Sequence, residues 1–383
     1  MVVLGLGLAP AIGLGIARFA YALVLPDMRS DLHWSYAEAG WMNTTNAAGY
    51  LLGASVSAWA ISTIGAYRTM VVGAWTCVVA LMLCALFRHA VPLNAARALA
   101  GFGGGLAFVS GGVLAAGVAQ RNPGRGAFLL GLFYAGAGLG ILLSGLIVPF
   151  ILDRFGSGSW PTAWLALAVL SLPLAFGLQL ACGESAAIPV HAQSSPRLGN
   201  MFWLFCGYLF FGAGYIAYMT FMIAWVQGAA QGAGFQALFW AVIGLATMAW
   251  PWLWTGILKR MLHGYAFAIL AGITAIGATL PLLSDTVPML LVSAAVFGSA
   301  FFAVVAATTA FVRRNFSQAQ WASGIGMLTV VFGIGQVLGP VGIGFVNDVL
   351  QDLSGGLWAS VSLLLIAGIL GAFQRDDKSL QLR

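Results

Sequence analysis

Twelve apolar stretches fill almost all of this 383-residue chain, and no other feature constrains its fold as strongly. They run over about 2–26, 37–63, 67–86, 91–119, 124–150, 160–182, 199–227, 234–258, 264–283, 287–312, 318–347 and 356–373. Each is long enough to cross a hydrocarbon core of ~30 Å, several with length left for tilt. Hydrophobic residues make up 61% of the chain and charged residues only 7%, against roughly 25% charged in a soluble domain. A soluble fold cannot hide that much apolar surface, whereas 51 glycines suit closely packed membrane helices. The expected fold is an all-α membrane protein of twelve transmembrane helices. Its one sizeable polar interruption, 183–199, divides a six-helix bundle over 1–182 from a second over 200–383. The first stretch has no charged leader and no clear cleavage site, so it reads as a retained helix rather than a signal peptide.

Charge sets the expected orientation. With both termini in the cytoplasm, one face collects Arg68, Arg121, Arg125, Arg197, Lys259, Arg260, Arg313, Arg314, Arg375, Lys378 and Arg383. The other face collects Arg29, Arg88 and Arg154. Eleven against three follows the positive-inside rule, places the 183–199 linker in the cytoplasm, and points to a multi-pass protein of the inner membrane. The net charge of +6 is therefore a topology signal and not a nucleic-acid one. Asp27, Asp31, Glu38, Asp153, Asp285, Asp348 and Asp352 fall on or near the far face, where solvation at the interface is the plain expectation.

Two of the sixteen basic residues remain inside the membrane, Arg18 and Arg97. Arg18 stands in Gly13-Leu14-Gly15-Ile16-Ala17-Arg18-Phe19-Ala20-Tyr21, roughly 12 Å below a helix end marked by Pro26. An arginine at that depth costs at least ~2.5 kcal/mol on insertion scales, so it should face a protein interior or a wet cavity. Its planar fork of donors suits a carboxylate or phosphate; the competing role is structural, bonded to facing carbonyls. Arg97 lies about 8 Å into its segment from Pro92, near enough to the interface to snorkel outward.

The halves repeat. A shift of 197 residues carries Gly15 to Gly212, Tyr21 to Tyr218, Gly101 to Gly298, Gly136 to Gly333, Gly138 to Gly335 and Gly145 to Gly342. Parallel six-helix repeats are the internal symmetry of major facilitator transporters, with the substrate between the halves near the midplane. The same shift sets Arg18 opposite Tyr215, so the deep charge belongs to one half only.

The chain resembles the major facilitator superfamily and, within it, the YbfB-like group of bacterial transporters. The residues that carry this are Gly15-Ile-Ala-Arg18-Phe19-Ala-Tyr21 with Leu25-Pro26, then Asn46-x-x-Gly49-Tyr50-Leu-x-Gly53, then Gly212-x-Gly214-Tyr215 with Thr220-Phe221. The resemblance implies two bundles rocking around a central site. General facilitator signatures are eroded: Gly65-Ala-Tyr-Arg68 and Gly256-Ile-Leu-Lys259-Arg260 both lack the usual aspartate. The Gly-Pro of drug antiporters is absent from the fifth segment and appears as Gly339-Pro340 in the eleventh.

Further candidate site residues come from polar and aromatic stripes. Asn43, Asn46 and Tyr50 share one face by their three- and four-residue spacing, as do Tyr208, Tyr215 and Tyr218. Tyr21, Trp240 and Gln336 complete the set, although such stripes serve packing more often than binding. Cys77, Cys84, Cys182 and Cys206 have no metal-ligand spacing, and His33, His89, His191 and His263 sit in loops or at helix ends, so neither metal nor cofactor is expected. No His, Asp or Glu reaches the middle of a segment, which leaves a membrane enzyme without its parts. The expected function is secondary transport by a monomer in the lipid bilayer. The expected substrate is a small organic anion, a monocarboxylate or aromatic acid, with protons as a possible coupled ion. An exporter of amphipathic compounds or drugs is the alternative.

Overall fold

A backbone crossing hydrocarbon has no water to bond with, so each span must satisfy its own N–H and C=O groups as a helix. The computed structural model describes residues 2–122, 124–181, 201–228, 232–258 and 260–376. Among them there is no strand, and twelve helices are long and apolar enough to cross a membrane. In chain order these are α1 (Val2–Asp31), α2 (Tyr36–Ile64), α3 (Ala66–Leu86), α4 (Ala90–Gln120), α5 (Gly126–Phe155) and α6 (Trp160–Ala181). The second half comprises α7 (Phe202–Gly228), α8 (Ala233–Leu258), α9 (Tyr265–Leu283), α10 (Val287–Asn315), α11 (Gln318–Leu350) and α12 (Leu353–Phe373). The expected linker at 183–199 lies outside the described residues.

Pro26 does not end α1. The helix runs on to Asp31 with the proline inside it, which puts Arg18 about 20 Å from that end rather than 12 Å. The far-face carboxylates also do more than meet water. Asp27 accepts from the Gly158 and Trp160 amides at 2.8 Å each, and Asp31 accepts from Trp160 Nε1 at 2.8 Å, fastening the end of α1 to the start of α6. Glu38 closes a capping box with Ser35 at the start of α2.

Glycine lets the helix that bears Arg18 approach its neighbour. A Cβ on Gly15 would lie 2.5 Å from Ala137 O and from Gly140 Cα in α5. Its repeat mate Gly212 meets Phe332 O of α11 at the same distance, so the two halves solve the contact between their first and fifth helices alike. The bundles meet along α2–α11 and α5–α8, with α1 against α7 between them. In the α5–α8 seam a Cβ on Gly138 would come within 2.5 Å of Gly244 O. On the side away from the termini, Asp348 of α11 accepts from the Tyr36 and Ala37 amides of α2 at 2.7 and 2.8 Å. One bundle thus caps a helix of the other, with the carboxylate at the positive end of the helix dipole.

Candidate functional site

Between the bundles lies a cavity of about 510 Å³, its opening toward solvent included, in the kind of place between helices where small-molecule sites form. Arg18 reaches it from α1, where residues Ala11–Phe19 form a π-helical segment; such segments are rare and occur often at functional sites. Arg18 is only 2% exposed, and its Nε and Nη2 find no hydrogen-bond partner in the protein. The Tyr50 ring lies 5.2 Å from its Cζ, close enough for a cation–π contact. No Asp or Glu lines the cavity.

The facing wall belongs to the second bundle and is built of rings. Tyr215 and Phe332 lie 5.5 Å apart with planes 7° from parallel, Tyr208 and Phe332 4.4 Å apart at 14°, and Tyr215 and Phe301 5.8 Å apart at 22°. Gln336 donates from Nε2 to the Tyr215 hydroxyl, while its Oε1 is buried without a partner. Four lining residues are partly exposed: Phe332 near the middle of α11, and Phe108, Val305 and Thr329 toward the side of the termini. On the other side, α1 from Tyr21 to Leu25 and α7 from Ile216 to Ile223 are buried.

Of the residues singled out in the sequence, Arg18, Tyr50, Tyr208, Tyr215 and Gln336 line this cavity. The others have different partners. Tyr21 donates to Ala39 O at 2.7 Å and stacks on Trp164; Tyr218 meets Ser293 Oγ at 3.0 Å; Trp240 donates to Ser144 Oγ at 3.3 Å across the α5–α8 seam. Arg97 does not snorkel. It is fully buried, with Nη1 2.5 Å from Ala17 O and Nη2 3.5 Å from Asn43 Oδ1. Asn46 donates to the Arg97 carbonyl at 3.0 Å, and Asn43 donates to Thr220 Oγ1 of α7 at 2.6 Å.

Sequence reasoning missed the apolar lining, notably Phe108, Phe301, Phe302 and Phe332. The repeat held part of that signal: the shift that pairs Arg18 with Tyr215 also pairs Phe108 with Val305, and all four line the cavity. No group of three or more His, Cys, Asp or Glu able to hold a metal occurs among the described residues.

Comparison with known proteins agrees with this architecture. The family model described as "Uncharacterised MFS-type transporter YbfB" matches residues 10–372. No curated protein matches the chain in sequence. Among solved structures, a bacterial homolog of the human lysosomal transporter Spinster, in an inward-facing and occupied conformation, is 14% identical with a TM-score of 0.68. That match covers 97% of this chain and 95% of the other. A point mutant of the nucleoside transporter NupG is 14% identical with a TM-score of 0.67, covering 97% of this chain and 98% of the other. At such identities the likeness is one of fold.

Proposed function

The chain belongs to the family of the uncharacterised MFS-type transporter YbfB, and from that premise we propose that it carries a small organic anion of carboxylate type, bound at Arg18 between the two bundles. The observation that carries this reading is a nearly fully buried guanidinium with two partnerless nitrogens in a cavity that holds no acid. A buried cation is costly until something compensates it, and an anion offering two coplanar oxygens does so with charge-assisted bonds. The parallel rings of Tyr208, Phe332 and Tyr215 favour an aromatic acid over an aliphatic one, because a flat ring extends their stack.

The bundles over 1–182 and 200–383 rock about this site, exposing it to one side and then the other. The protein works as a monomer in the inner membrane with both termini in the cytoplasm, a placement supported by the excess of basic residues on that face. Any proton that travels with the substrate rides on the substrate or on a peripheral acid, since none lines the cavity.

The aromatic lining also suits an exporter of amphipathic compounds. Flux in liposomes separates the two: benzoate and other monocarboxylates are expected to exchange across the membrane, and lipophilic cations are not. Transport of lipophilic cations without any carboxylate flux sinks the anion reading.

A further inference from the structure

Arg97 is the second charge buried in the first bundle, and it does not touch the cavity. Its guanidinium sits 5.0 and 5.3 Å from the Tyr21 and Trp164 ring centroids, and its Nη1 reaches Ala17 O, on the residue immediately before Arg18. That carbonyl belongs to the π-helical segment of α1, in which the Ala20 amide reaches back five residues to Gly15 O at 3.2 Å. A π turn holds about one residue more than an α turn. Reverting to α geometry therefore rotates the residues beyond it by about 100° around the axis. Arg18 lies inside the segment, one residue after the clamped carbonyl, so its direction around the axis is set by that register.

The same arginine connects to the other bundle. Its Nη2 faces Asn43 Oδ1 at 3.5 Å, and Asn43 donates to Thr220 Oγ1 in α7 at 2.6 Å. Asn46 holds the Arg97 carbonyl from behind. One polar chain thus runs from the backbone beside Arg18, through Arg97 and Asn43, to Thr220 across the seam between the bundles.

We propose that Arg97 is the positioning residue for Arg18: it holds the π register that turns the Arg18 guanidinium into the cavity, and through Asn43 and Thr220 it ties that register to closure of the bundles. The proposal rests on the reading of Arg18 as the anion-binding group. When the bundles part on the side away from the termini, the Asn43–Thr220 bond breaks and the clamp on Ala17 O loosens. Arg18 then presents different affinities in the two states, which is what coupling of ligand to conformation requires.

The test has a labelling arm that needs no ligand and a binding arm that uses benzoate on purified protein. Single cysteines replace Leu14, which lines the cavity, and Ala17, which is fully buried, in a background with the four native cysteines removed. With Arg97 present, a soluble thiol reagent is expected to modify Leu14→Cys and not Ala17→Cys. In Arg97→Met, Ala17→Cys becomes reactive while Leu14→Cys keeps its rate, and benzoate binding weakens at least tenfold. Thr220→Val, which touches neither Arg18 nor the cavity, is expected to change benzoate affinity several-fold. If Arg97→Met does not fold, Arg97→Lys takes its place; the ammonium cannot donate to Ala17 O and Asn43 Oδ1 with the same fork, and the same gain in Ala17→Cys labelling is expected. An unchanged labelling pattern with wild-type benzoate affinity, in a protein where Arg18→Ala abolishes binding, overturns the proposal and leaves the functional reading standing. Full benzoate affinity in Arg18→Ala overturns that reading instead, and the labelling arm still decides the register.

Discussion

Replacing Arg18 by alanine should separate binding from stability. In the protein its Nε and Nη2 have no partner, so a carboxylate accepting from both gains two charge-assisted hydrogen bonds. At about 1.5–3 kcal/mol each, their loss costs about 3–6 kcal/mol, or roughly two to four orders of magnitude in Kd. The ligand-free protein loses much less. Its guanidinium is compensated chiefly by the Tyr50 ring, a contact of about 0.5–2 kcal/mol, while the burial of the charge itself is unfavourable. Arg18→Ala is therefore expected to melt at or above the wild-type temperature without ligand and to show no stabilisation by benzoate. A wild-type protein with ligand at one hundred times Kd gains about 2.7 kcal/mol. Arg18→Lys keeps the charge without the planar fork, and about one of the two bonds should be lost, a tenfold to hundredfold weakening. Titration calorimetry on folded, monodisperse protein reads the three affinities, and thermal melts with and without benzoate read the stabilities. Wild-type affinity in Arg18→Ala refutes the reasoning outright, and wild-type affinity in Arg18→Lys refutes the bidentate part of it.

Three further outcomes are expected. Tyr215→Phe removes one neutral hydroxyl, the one that Gln336 bonds, and should weaken anion binding by about 1 kcal/mol, measured in the same titration. Asp348→Ala strips α2 of a cap supplied by the opposite bundle and should shift the equilibrium toward opening on that side by about 1–2 kcal/mol; a cysteine at buried Ala39 should then label roughly tenfold faster, and an unchanged rate counts against the clamp. At the other face, burial pushes the Asp376 carboxyl up, but the His263 amide, Asn315 and Arg314 together hold it below the ordinary range. A depressed folded pKa gives stability that is present above the unfolded value, near pH 4, and lost as pH falls through the folded one. Thermal melts from pH 6 to pH 3 should therefore flatten in Asp376→Asn, by about 1 kcal/mol because Arg314 and His263 are partly in water.

Span number was legible because hydrocarbon thickness writes itself into every stretch, and the repeat was legible because packed glycines tolerate no side chain. Which face a residue presents was legible only in part. Tyr208 and Tyr215 are two turns apart and both reach the cavity, but Tyr218 lies three residues on, about 60° around the helix, and turns to Ser293 instead. Tyr21 stands in the same relation to Arg18 and goes to Ala39 O. Proline misled at residue 26, since a helix supported by neighbours on all sides accommodates the missing bond. Arg97 misled through its closeness to the interface; a guanidinium that finds a carbonyl and two aromatic faces inside has no need to snorkel. The π segment around Arg18 has no signature in composition or spacing, because it is held by a contact 80 residues away in sequence.

The two halves share a scaffold and divide the chemistry. Gly15 and Gly212 make equivalent contacts, which suits a carrier whose two states must lie close in energy so that ligand can tip the balance. At the centre the equivalence stops, with Arg18 on one side and Tyr215 on the other. A second arginine at 215 would place like charges across a narrow, low-dielectric cavity and raise the cost of the empty state. A tyrosine there, stacked into parallel rings and bonded by Gln336, would give the proposed anion a flat wall and a polar edge without adding charge. Neither bundle holds this combination alone. The cavity is lined from both sides only where the bundles meet, so on the proposed reading its affinity depends on how they are placed, and rocking and binding become one process.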